Sequence, residues 1–306
     1  MRLKILWLSA ALSLGAFGLV GSVAAFRGDT VTQGNPYLAA DMRESINGEN
    51  NMFGFTAAAR SWSAPDIRWP DLSAGLNLGS EELYYYWTRE NHYSVLPKAT
   101  LARPLRIYVG GDSIAGGPAL GFRELAKTNK NILYFEDVRK STGVVNSWFF
   151  DWETYLQNEI SDRPYDVIIL SMGGNDWQPF YKGPSTIAGS EWMAEYKRRV
   201  EAILASVSRP GRLVIWVGLP AFLPASLRKL PAVVNAITKD IFASRPRSRW
   251  VDASEIVSPS GVWVKYLTDS NGLEREVRVS AGVHYQWYGA ELVTAAVWQQ
   301  ILSNAG

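Results

Sequence analysis

From residue 104 onward the sequence predicts an α/β domain: a mainly parallel sheet with helices on both faces. Three observations carry this. Short β-branched runs alternate with helical stretches over about 200 residues, the pattern of a parallel sheet with crossover helices. Glycine, aspartate and asparagine cluster just beyond the strand-like runs, where such sheets place their ligands. Apolar residues make up 47% of the 306 and charged residues 20%, which excludes a disordered chain.

The elements before that domain differ in character. Met1–Lys4 carries two positive charges, and Ile5–Val23 is an uncharged, mostly apolar run followed by Ala24 and Ala25. This is the composition of an export signal. The run exceeds the roughly 7–15 residues of a cleavable signal core and reaches the roughly 17–25 of a membrane span. Two readings of residues 1–26 stay open: a signal peptide cut near Ala24 or Ala25, or a retained inner-membrane anchor. Either places the body in the periplasm or beyond, since the N-terminal charges stay cytoplasmic. Residues 27–103 lack a long periodic segment but hold Trp62, Trp69 and the Tyr84–Trp87 run. They are too apolar for a linker and are expected to pack on the main domain, residues 104–306, as an irregular aromatic-rich extension.

Within the main domain Arg106–Gly110, Ile132–Val138, Asp166–Ser171, Leu213–Gly218 and Trp250–Asp252 read as strands. Pro118–Asn129, Trp152–Ile160, Glu191–Val207, Leu227–Ser244 and Tyr288–Leu302 read as the intervening and closing helices.

Composition removes several chemistries. There is no cysteine, hence no disulfide, thiolate metal site or thiol nucleophile. The only histidines are His92 and His284, too few for a histidine-rich metal site. With Arg2 and Lys4 set aside, the body carries 29 residues of each charge, unlike the basic excess of a nucleic-acid binder. Gly110–Gly117 lacks the lysine of a phosphate-binding loop and the glycine spacing of a dinucleotide fingerprint. Ala115 stands where the α/β-hydrolase elbow needs glycine. No metal and no cofactor is expected.

What remains lies at the strand ends. The first strand runs into Gly111-Asp112-Ser113, placing a hydroxyl between a strand and a helix N-terminus, where amide N–H groups meet developing negative charge. The second leads to Ser141-Thr142-Gly143, the third to Gly173-Gly174-Asn175-Asp176, and Gly282-Val283-His284 precedes the last helix. A serine, a glycine N–H, an asparagine amide and a histidine supply the parts for acyl transfer. Asp112 and Asp176 read as structural hydrogen-bond acceptors rather than reacting acids. His92 has no recognised partner and reads as a surface or packing residue.

These four blocks, in this order and spacing, resemble the SGNH (GDSL-type) hydrolase superfamily over residues 104–303. Asp151-Trp152, Trp216–Pro220 and Asn235 extend the similarity to a bacterial envelope branch of unassigned function. The resemblance implies a flavodoxin-like three-layer sandwich on a five-stranded sheet. It implies Ser113 as nucleophile and His284 as general base, with the Ser113 and Gly143 N–H groups and the Asn175 amide as oxyanion hole. One position departs: the acid the family places three residues before the histidine is Ala281 here. Another acceptor for the imidazole would have to come from Ser280, a backbone carbonyl, or a carboxylate such as Asp269, Glu274 or Glu276.

The function expected is an exported serine esterase or acyltransferase acting on an acyl, foremost acetyl, group of an envelope or extracellular polysaccharide. Trp177 and Trp287, beside the Asn175 and His284 blocks, are candidate sugar contacts. The alternative, motivated by Ala281, is a catalytically weakened domain that binds polysaccharide or an assembly partner.

Overall fold

A computed structural model describes residues 96 and 99–304. The leader, His92 and nearly all of the aromatic-rich extension lie outside the described residues. Leu96 and Ala99 are both buried in the core, and the Leu96 N–H donates to the Asn304 carbonyl at 3.2 Å.

Five strands form one all-parallel sheet: β1 (Leu105–Gly111), β2 (Ile132–Val138), β3 (Val167–Ser171), β4 (Leu213–Val217) and β5 (Ser248–Val251). Their spatial order is β2-β1-β3-β4-β5, the flavodoxin-like order, with the direction of winding reversing between β1 and β3. The three inner strands are almost wholly buried, β3 and β4 at every residue. This is why they read as continuous apolar runs rather than alternating ones. The edge strand β2 alternates and leaves Leu133 and Phe135 exposed.

Helices cover both faces. On one, α1 (Gly116–Thr128) packs against the closing helix α6 (Trp287–Ser303), with Phe122 meeting Trp298 edge to face at 6.3 Å. On the other lie α2 (Trp152–Tyr155), which runs on as a π-helical stretch over Leu156–Ile160, then α3 (Ser190–Val207) and α4 (Leu230–Ala243). The expected single helix over 152–160 is therefore continuous but changes winding midway. Two features carried no periodic signal and were not expected: the short helix α5 (Ala253–Val257), and a hairpin of β6 (Tyr266–Thr268) and β7 (Glu274–Glu276). Elements of three to five residues are too short to show a period. Among the described residues no helix is long and apolar enough to cross a membrane.

Register sets up the site. Gly111 at the end of β1 pairs with Val138 at the end of β2 and with Ser171 at the end of β3. Three loops thus leave the sheet at one height, around the reversal point. The α1–α6 seam supports the first of them and the segment before α6. Trp298 is fully buried there, so Trp298→Ala should cost about 3–5 kcal/mol. Urea titration of variant and parent measures this.

Candidate active site

The β1 loop turns at once into a helix. Asp112 caps a short 3-10 turn, Ser113–Ala115, by accepting from the Ile114 N–H at 2.8 Å, and α1 follows directly. Ser113 sits half-buried on that turn, its hydroxyl at the carboxyl edge of β1. His284, 171 positions further along the chain, brings its Nε2 to 2.8 Å from Ser113 Oγ. That is hydrogen-bond reach between a hydroxyl nucleophile and a candidate base.

Two buried carboxylates tie the three strand-end loops to one another. The second oxygen of Asp112 accepts from the Gly173 and Gly174 N–H groups, each at 2.8 Å, joining the β1 loop to the β3 loop. Asp176 accepts from the Val144 N–H at 3.0 Å and the Val145 N–H at 3.1 Å, joining the β3 loop to the β2 loop. Tyr196 of α3 donates its hydroxyl to Asp176 at 2.9 Å. Both carboxylates act as acceptors of N–H and hydroxyl groups in the framework.

Gly143 lies against Asp176: a Cβ at this position would come within 2.0 Å of the carboxylate oxygen. Only glycine leaves room for the tie and for the adjacent backbone. Asn175, also buried, donates one amide N–H to the Thr142 carbonyl at 2.7 Å, leaving the second for a ligand. The Thr142 carbonyl and the Gly143 N–H belong to one planar peptide, so Asn175 also fixes which way the Gly143 N–H points. Trp152 Nε1 holds Thr142 Oγ1 at 2.9 Å, and Arg199 of α3 donates to the Val144 carbonyl at 3.1 Å and Ser147 Oγ at 2.8 Å.

The histidine arrives by a different device. Gly282 has φ +81°, and a Cβ there would meet Leu223 at 2.2 Å, so the turn before His284 requires glycine. Arg278 is fully buried beneath that turn. Its guanidinium donates to the carbonyls of Val283 at 2.6 Å, Ala221 at 2.8 Å, His284 at 3.1 Å and Gly282 at 3.2 Å. Three consecutive carbonyls of the histidine segment thus converge on one cation. Sequence reasoning missed Arg278, because the stretch Glu274–Arg278 carries alternating charges like any solvated surface. Its position between Val277 and Val279 was the one available hint.

Ala281 occupies the position where the resemblance calls for an acid, and it is half-exposed. Of the carboxylates considered as substitutes, Asp269 accepts from the Asn271 and Leu273 N–H groups of its own hairpin, both at 2.9 Å. Glu276 pairs with Lys265 at 2.9 Å, and Glu274 is exposed on β7. Ser280 is exposed as well. Trp177 and Trp287 are both half-buried and pack against the core. Among the described residues no group of histidines and carboxylates could hold a metal ion.

Burial pushes the Asp112 carboxyl up to about 7, opposed by the N–H bond from Ile114 and reinforced by the charge of Asp176. Burial likewise raises Asp176 to about 6, against the N–H groups of Val145 and Val144 and the Tyr196 hydroxyl. A carboxyl raised in the folded state favours folding when protonated. Its contribution is complete below the unfolded value of about 4 and is lost as pH rises through about 7. The unfolding free energy of the parent, measured against Asp112→Asn, should therefore fall as pH rises from about 4 to about 8. Parallel profiles for the two proteins would contradict it. Arg278→Lys keeps the charge but not the fan of donors, and should cost about 3 kcal/mol or more in urea titration.

Residues 106–300 match a family model described as "Protein of unknown function (DUF459)". No curated protein matches the chain. Similar solved structures include a lipase/acylhydrolase from Enterococcus faecalis, 15% identical, covering 65% of this chain and 96% of its own, with a TM-score of 0.47. A carbohydrate acetylesterase family member from Sinorhizobium meliloti is 14% identical, covering 65% and 99%, with a TM-score of 0.44. An acetylxylan esterase from Geobacillus stearothermophilus is 14% identical, covering 65% and 94%, with a TM-score of 0.45.

Proposed function

Since the chain belongs to the DUF459 family and has an SGNH hydrolase-like fold, we propose that it is an exported serine esterase or acyltransferase. Its substrate would be an acyl, foremost acetyl, ester on an envelope or extracellular polysaccharide. The single observation that carries the chemistry is the 2.8 Å approach of His284 Nε2 to Ser113 Oγ, at a rim furnished with N–H donors.

In this reading His284 takes the proton from Ser113 as Oγ attacks the ester carbonyl. The negative charge formed on the carbonyl oxygen is met by the Ser113 and Gly143 N–H groups and the free N–H of Asn175. Collapse breaks the bond to the sugar oxygen, which leaves with the proton held by His284. The acyl group, now on Ser113, passes to water or to a second hydroxyl, and that nucleophile's proton returns through His284. Export rests on the charged and apolar residues 1–26. The body then works in the periplasm or outside it, free or held to the inner membrane by that segment. The polysaccharide rests on that compartment and on the wealth of aromatic residues, with no nucleic acid involved.

Ala281 favours a second reading, in which the domain is catalytically weakened and binds polysaccharide or an assembly partner. In serine proteases, losing the carboxylate that orients the histidine costs about ten-thousand-fold in turnover. Full-length protein tested for p-nitrophenyl acetate hydrolysis and fluorophosphonate labelling separates the two. The esterase reading expects both activities in the parent and neither in Ser113→Ala. An inert parent that gains activity on Ala281→Asp would establish the second reading in its place.

A further inference from the structure

Three large aromatic side chains stand in solvent on the loops that build the candidate site. Trp148 is 52% exposed, Phe149 42% and Tyr181 62%. Trp148 and Phe149 follow Gly143 on the β2 loop, and Tyr181 follows Asn175 on the β3 loop. The loops that supply the oxyanion donors therefore meet a second time, through these rings. Trp148 contacts Phe149 at 5.9 Å and 64°, and Tyr181 at 6.4 Å and 54°. Tilted and edge-on contacts of this kind hold rings in place without covering their faces. Three large rings exposed side by side form a contiguous apolar patch of the kind that marks a contact surface.

The surroundings say what kind of contact. Ser147, the residue before Trp148, lines a cavity of roughly 160 Å³ whose wall sets Asp151, Glu153, Arg198 and Arg199 beside the apolar Val144, Trp152 and Ile203. Lys182 lies 5.3 Å from the Tyr181 ring. The ground beside the aromatics is mixed: two carboxylates, two guanidinium groups, an ammonium and a hydroxyl stand with the apolar side chains of Val144, Trp152 and Ile203. A sugar ring fits both parts: its C–H face lies on an aromatic face, and its hydroxyls reach charged and polar side chains at the edge. Trp177 and Trp287, by contrast, are half-buried against the core.

We infer that Trp148, Phe149 and Tyr181 form a stacking platform for a polyhydroxylated glycan, holding the chain whose ester lies at Ser113. This deepens the polysaccharide reading above and rests on it. The rings are already braced against one another, so ordering them on binding costs little.

The test measures binding apart from turnover. Full-length parent, Ser113→Ala, Trp148→Ala, Tyr181→Ala and Trp148→Phe are titrated with partially O-acetylated xylan and with O-acetylated chitin oligosaccharides. Native-gel retardation and intrinsic fluorescence report binding. The parent and Ser113→Ala should bind at least one probe with equal affinity. Trp148→Ala and Tyr181→Ala should each bind about tenfold more weakly, while Trp148→Phe stays close to the parent. Thermal unfolding should be unchanged in all, because the replaced rings are exposed.

Failure of the parent to bind either glycan, or equal binding by the alanine variants, overturns the platform. So does a loss of binding to phosphatidylglycerol vesicles in those variants without a loss of glycan binding. Glycan binding that depends on Trp148 in a protein that cleaves no ester supports the platform and counts against the esterase reading alone.

Discussion

Two buried carboxylates hold the candidate site together. Asp112 gathers N–H groups from its own turn and from the β3 loop, and Asp176 gathers N–H groups from the β2 loop. Between them the three loops become one framework, with each tie made of backbone donors that burial would otherwise leave unsatisfied. Desolvation opposes the charge on both groups, which is why both titrate upward, and the converging N–H groups offset part of that cost. An unpaired carboxylate could not remain at these depths. The same carboxylates make glycine necessary at Gly143, since the space of a side chain is occupied by the Asp176 oxygen.

The histidine is held by a charge of the opposite sign. Arg278 collects carbonyl oxygens from Gly282, Val283 and His284, together with that of Ala221 beyond β4. Acceptors converging on a buried cation on one side and donors converging on buried anions on the other place Ser113 and His284 at a common rim. Each device works because the interior is poor in competing water, so a hydrogen bond to a charged group orients its partner strongly. Around this polar framework the sheet and the α1–α6 seam supply the rigid apolar support. Beyond it, toward solvent, the same β2 and β3 loops carry Trp148, Phe149 and Tyr181. One pair of loops thus carries both the candidate oxyanion donors, Gly143 and Asn175, and a contact surface.

How much of this was legible before the structure differs by range. All five strands of the sheet were readable from β-branched runs, three site blocks from the residues that follow them, and the fourth from its place before the closing helix. These signals are local: a strand buried on both faces must be apolar throughout, and a turn at its end needs small or polar residues. The structural role of Asp112 and Asp176 was also readable in kind, though not their partners. Arg278 was not readable, because a buried arginine and a surface arginine look alike until the chain around them is placed. The same ambiguity governs the tryptophans. Trp177 and Trp287 stand beside site blocks in sequence and are half-buried against the core, while Trp148 stands on a loop and faces solvent.

By itself, then, the sequence determined the α/β class, the order of the sheet strands and the longer helices along the chain, and the residue types available for acyl transfer. These follow from periodicity and composition, which need no knowledge of distant neighbours. Only the tertiary structure decided that β1 lies between β2 and β3 with their ends level, that His284 reaches Ser113, and that the Arg278 guanidinium gathers the carbonyls of the histidine turn. Those outcomes depend on strand pairing and on contacts between residues far apart in the chain, and such pairings are settled by packing the whole core at once.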